Sequence, residues 1–148
     1  MVLVIGYGNT LRSDDGVGQR AVEAIAALHL PGILTLSFPL LTPEIAEPIS
    51  RARTVVFVDA AVDAPREVQL RKLQPAESSQ IMAHAADPAT MLALARDVFG
   101  SAPAGWLLSI PVQDLGIGDQ ISEFARRNLE VAIERLKAFA TRQGPGSA

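Results

Sequence analysis

Val2-Leu3-Val4-Ile5-Gly6-Tyr7-Gly8-Asn9-Thr10-Leu11-Arg12-Ser13-Asp14-Asp15-Gly16-Val17-Gly18 is the stretch whose reading decides the fold. Val2 to Ile5 is an unbroken apolar run, the pattern of a short strand buried on both faces in a parallel sheet. Gly6 and Gly8 then break it, where a backbone turns sharply or lets another group approach. Two adjacent carboxylates follow, Asp14 and Asp15. Beyond them Val17, Ala21, Val22, Ile25 and Leu28 recur at helical spacing, which predicts an amphipathic helix over 15–28 with Asp14 as N-cap.

Glycines between a strand and a helix raise the question of a nucleotide. A dinucleotide fingerprint needs Gly-x-Gly-x-x-Gly, with the pyrophosphate on the helix N-terminus. Leu11 stands at the third glycine position, and Asp14 and Asp15 put negative charge where the phosphates would lie. Like charges repel at that range, so the loop reads as a site for a cation.

The remaining chain continues the alternation. Pro31-Gly32 stops the helix, and Ile33 to Ser37 reads as a second strand reached by a right-handed crossover. Thr42, Pro43 and Glu44 mark a helix start, which Pro48 keeps short. Thr54 to Val58 is a buried strand ending on Asp59. Val68 to Leu73 alternates as an edge strand does and is expected to be antiparallel. Asp87-Pro88 opens a helix with Met91, Leu94, Ala95, Val98 and Phe99 inward, and Gly100 ends it. Trp106 to Ile110 is the last strand, with Trp106 in the core and Tyr7 at a rim. The final helix runs from about Ile121 to Phe139, with Ala125, Leu129, Ala132, Leu136 and Phe139 inward. This order predicts a three-layer αβα fold: an open, mostly parallel twisted sheet of about five strands with helices on both faces. Residues 1–140 read as one domain, and residues 141–148 as a disordered tail.

Composition narrows the function. A net charge of −3 argues against nucleic acid or an anionic membrane as the main partner. The chain has no cysteine, which removes disulfides, thiolate metal sites and a cysteine nucleophile. No apolar stretch has the length of a membrane span, and a cytoplasmic, monomeric protein is expected. No Gly-x-Ser-x-Gly is present to support a serine nucleophile.

Open sheets of this kind bind their ligands beyond the carboxyl ends of the strands, where strand order reverses. Asp15 follows the first strand's loop, Asp59 closes the third strand, and His84 lies in an aperiodic stretch before a helix. Two oxygens and an imidazole suit a borderline divalent metal with open positions. Singly, each has a plainer reading: Asp15 as a complement to the helix dipole, Asp59 as a loop hydrogen-bonder, His84 as an exposed loop residue. His29 reads as a partner for the last carbonyls of its helix.

Together, the stretch from Gly6 to Gly18, Leu41-Thr42-Pro43-Glu44, Val56-Phe57-Val58-Asp59-Ala60, the His84 region and Leu107-Leu108-Ser109-Ile110-Pro111 resemble the hydrogenase maturation endopeptidases. The resemblance covers about residues 2–139. It implies an aspartyl-type endopeptidase that trims the C-terminal extension from a nickel–iron hydrogenase large-subunit precursor. The family's metal-binding acids and histidine fall on Asp15, Asp59 and His84, the residues on which catalysis would also depend. Nickel would arrive with the precursor rather than reside in the protein. Asp15 stands where the family often has glutamate, and Pro39-Leu40 replaces a polar pair that typically ends in glutamine. The surface around Phe38, Pro39 and Leu40 is then expected to hold the partner. Two chemistries remain open, a metal acting as Lewis acid on water and a carboxylate acting as general base. The alternative from another class is a non-catalytic nickel-binding, chaperone-like module docking on the same subunit.

Overall fold

The computed structural model describes residues 1–62, 65–81 and 87–143. The opening apolar run becomes strand β1 (Val2–Tyr7), whose residues 2–6 are all buried. A 3₁₀ turn over Ser13–Gly16 leads into helix α1 (Val17–Ala26). Strand β2 (Ile33–Phe38) follows, then a 3₁₀ turn at Pro43–Ile45 and the short helix α2 (Ala46–Ser50), which contains Pro48. Strands β3 (Thr54–Ala61) and β4 (Gln69–Leu73), helix α3 (Pro88–Phe99), strand β5 (Ala104–Pro111) and helix α4 (Glu123–Gln143) complete the order. Helix α4 thus runs three residues past 140 into the expected tail; residues 144–148 lie outside the described set.

One five-stranded sheet is ordered β2-β1-β3-β5-β4. Its first four strands are parallel, and β4 runs antiparallel to β5 at the edge. Strand β1 feeds β2 on one side while β3 returns on the other, so strand order reverses between β1 and β3.

The pleat sorts the apolar side chains into two cores. Val2, Val4, Val56, Val58, Leu108 and Ile110 face α1 and α4, packing with Val22, Ile25, Ala132 and Leu136. Leu3, Ile5, Val55 and Phe57 face α2 and α3, packing with Ile49, Met91, Leu92 and Ala95. Such double coverage explains why β1 and β3 are apolar without alternation.

Helix α3 keeps the expected caps. The Asp87 carboxylate accepts from Ala89 N at 2.9 Å, and Gly100 turns the end with φ +84°. Its inward face differs from expectation, because Val98 and Phe99 are exposed. Leu92 takes the core position instead, lying against Gly105, where a Cβ would sit within 2.6 Å of its methyl. Trp106 is half-buried rather than enclosed, with Phe139 edge-on at 5.2 Å and the Lys72 ammonium over the ring at 5.1 Å.

Candidate functional site

The register of β1 on β3 pairs Gly6 with Val58, so Tyr7 and Asp59 come next, side by side at the strand ends. Both share the parity of Ile5 and Phe57, which puts them on the α2/α3 face of the switch point. The start of α1 is pressed onto the same ends. A Cβ on Gly18 would run into the Val58 carbonyl oxygen, and would lie 2.7 Å from that of Tyr7. Gly8, at φ +137°, makes the turn that brings Asp15 back over the edge. Asn9 N–H then donates to Asp15 Oδ2 at 2.7 Å, which fixes that carboxylate.

Asp59 is the acid whose ionisation this edge opposes. Burial pushes its carboxyl up from 3.8 to about 6, and the charge of Asp15 adds to the rise. Hydrogen bonds from the Tyr7 hydroxyl and the Ala60 N–H oppose it without cancelling it. Tyr7 is held far above its ordinary value by burial, by the charge of Asp59 and their shared hydrogen bond, and by the charge of Asp87. That last influence brings the N-terminus of α3 into the same electrostatic neighbourhood.

Asp14 does something other than cap α1. The N-cap position of α1 is Gly16, with no side-chain cap bond. The Asp14 side chain is fully buried and turns to the loop between β5 and α4. Its carboxylate accepts from Gln113 N at 3.1 Å, Asp114 N at 2.9 Å, Ser122 N at 2.6 Å and Ser122 Oγ at 2.7 Å. Burial alone would raise its pKa, but these donors outweigh it and the net shift is downward. Ser122 Oγ also accepts from Ala125 N at 3.1 Å, so one serine caps α4 and grips Asp14. Backbone bonds from Ser13 N to Gly118 O and from Gly118 N to Leu11 O extend the clasp. The loop bearing Asp15 is therefore tied to the far side of the sheet.

The structure thus brings Asp15 and Asp59 together, while His84 lies outside the described residues. Among the described residues no third histidine, cysteine, aspartate or glutamate completes a metal site with them. The donor set still fits a divalent cation: a partly buried carboxylate whose charge is costly, beside a second one. Tyr7 is the site residue that sequence reasoning placed at a rim; the shared parity of Ile5-x-Tyr7 and Phe57-x-Asp59 was the signal for its contact. Leu40 is 58% exposed, whereas Phe38 is half-buried against the core. His29 lies in the turn that follows α1, exposed, with φ +49°.

An αβα sheet with two acids at its switch point defines a class, and solved structures narrow the fold further. The hydrogenase maturating endopeptidase HybD from Escherichia coli is similar to 97% of this chain, over 93% of its own, with a TM-score of 0.75 at 21% identity. For the NiFe hydrogenase maturation protease HycI from Thermococcus kodakarensis the figures are 95%, 92%, 0.71 and 20%. For the hydrogenase 2 maturation peptidase from a Thaumarchaeota archaeon they are 99%, 99%, 0.67 and 20%. The chain has the fold of the hydrogenase maturation endopeptidases. No protein-family model and no curated protein matches it.

Proposed function

We propose that this protein is an endopeptidase that removes the C-terminal extension of a nickel–iron hydrogenase large-subunit precursor once nickel has been inserted. The observation that carries the reading is the convergence of Asp15 and Asp59 at the strand-order reversal. The pair sits in a fold shared, over nearly the whole chain, with proteases of that name.

Nickel is cargo of the substrate in this reading. Asp15 and Asp59 supply carboxylate oxygens, and His84 supplies a neutral imidazole. His84 precedes Asp87 by three residues, at most about 11 Å of chain. Three protein ligands leave positions on the ion for the precursor's own atoms, so binding orients the adjacent peptide. Asp59 gains most from the cation, because ionising beside Asp15 in a partly dry site is what raises its pKa. Tyr7 holds the Asp59 carboxylate from below, and the Asp14 clasp holds the loop of Asp15. A loaded precursor therefore matches the edge better than an empty one, and the metal acts as a checkpoint.

The test uses nickel-loaded precursor with the wild type and with Asp15→Asn and Asp59→Asn, read by intact mass. The wild type should release a C-terminal peptide, and each variant should cut at least about 100-fold more slowly, the scale of losing a site group, while keeping its circular dichroism. A wild type that binds the precursor and leaves its mass unchanged would favour the nickel-binding, chaperone-like module instead.

A further inference from the structure

Beyond the ends of β3 and β5, at the start of α4, lies a cavity of about 310 Å³ that the acid pair does not use. Val62, Pro111, Val112 and the Phe124 ring supply apolar surface, and Gln113 and Arg66 supply polar groups. Arg66 closes one side, its guanidinium carbon 4.6 Å from the centre of the Phe124 ring. None of the ion pairs among the described residues includes Arg66, and Glu123, next to Phe124, is already paired with Arg126.

A guanidinium lying over an aromatic face keeps its edge N–H donors free, and their fork matches a carboxylate. The apolar part of the lining suits the methylene stem of an acidic side chain. Charge complementarity singles out this occupant. The neighbouring edge carries Asp15 and Asp59, so an acidic side chain is repelled there, whereas the Arg66 guanidinium attracts it here. Val62 follows Asp59 by three residues, which puts the cavity about 10 Å from the acid pair, or three residues of extended peptide.

We propose that the cavity is a subsite for a glutamate or aspartate side chain of the precursor segment, about three residues from the metal. The proposal rests on the reading under Proposed function. It gives the edge a polarity, cation at one end and anion at the other, that fixes the direction in which the segment lies.

Two N-acetylated, C-amidated tetrapeptides, Ala-Ala-Glu-Ala and Ala-Ala-Gln-Ala, titrated in low salt against the labelled protein, test the pocket without any cleavage. The glutamate peptide should move the amide signals of Val62, Val112 and Phe124 and bind about fivefold tighter than the glutamine peptide, the scale of a partly solvated charge-assisted contact. Arg66→Gln should abolish that preference and Arg66→Lys restore part of it. Equal binding of the two peptides, no shifts with either, or a preference that survives Arg66→Gln would each overturn the subsite. In processing assays, Arg66→Gln should raise KM for the loaded precursor about fivefold. A precursor that the wild type never cuts would defeat the protease reading and leave the peptide titration to judge the cavity.

Discussion

Replacing Asp59 by asparagine should make the metal-free protein more stable, and the gain should depend on pH. Folding raises the Asp59 pKa from 3.8 to about 6, so the folded state disfavours the charged form. Well below its unfolded value of 3.8 the group is protonated both folded and unfolded, and it costs nothing. As pH rises through 6 the folded carboxylate must ionise against burial and the charge of Asp15, and stability is lost. At about 1.4 kcal/mol per pKa unit the rise corresponds to roughly 3 kcal/mol, and solvent reaching the half-buried group reduces it to about 1–3 kcal/mol. Asparagine keeps the shape and an oxygen that can accept from Tyr7, but carries no charge. Urea unfolding of wild type and Asp59→Asn, with chelator present, should therefore give near-equal midpoints at pH 3 and a more stable variant at pH 8. An equal difference at both pH values, or a variant less stable at pH 8, would refute the reasoning. The confirmed result would mean that the fold gives up stability to hold a charge where a cation belongs.

Asp14→Ala should behave in the opposite sense, leaving the Ser122, Asp114 and Gln113 donors without their carboxylate and costing about 3 kcal/mol. Because the pKa of Asp14 is lowered by folding, its contribution holds above 3.8 and fades as pH falls through the lowered value; acid titration of the wild type against the variant checks the sign. Gly18→Ala should push α1 off the ends of β1 and β3 at a cost of about 1–3 kcal/mol, read by thermal unfolding, since the new methyl meets two carbonyl oxygens. Nickel binding to the free protein, followed by calorimetry, should weaken between pH 7.5 and pH 5 and should release protons at the lower pH, from Asp59, whose pKa is about 6, and from His84, whose imidazole must be neutral to bind. A flat affinity would remove both from the ligand set. Leu40→Asp should slow precursor processing with the fold intact, because Leu40 is exposed beside the same edge; an unchanged rate would take that patch out of the interface.

Much of this arrangement is legible in the amino-acid sequence, for identifiable reasons. Continuous apolar runs at Val2–Ile5 and Thr54–Val58 mark strands covered on both faces, and the alternation in 68–73 marks the antiparallel edge. Local chemistry also set the ends of α3, where Asp87, Pro88 and Gly100 each do what their backbone preferences require. The misreadings concern partners distant in sequence. Nothing local distinguishes an aspartate that caps its own helix from Asp14, whose donors lie 99 to 108 residues away. Helical spacing likewise placed Val98 and Phe99 inward, whereas the small Gly105 on β5 drew Leu92 into the core instead. The acid pair was visible as Asp15 and Asp59; the contact of the Tyr7 hydroxyl with Asp59 needed the register of β1 on β3 to be seen.

The most direct measurement is the intact mass of one hydrogenase large-subunit precursor, prepared with and without nickel and incubated with this protein under the same conditions. The account requires loss of a C-terminal peptide from the loaded precursor and an unchanged mass for the empty one. Equal cutting of both would contradict the checkpoint assigned to Asp15, Asp59 and His84, and cutting of neither would contradict the protease itself.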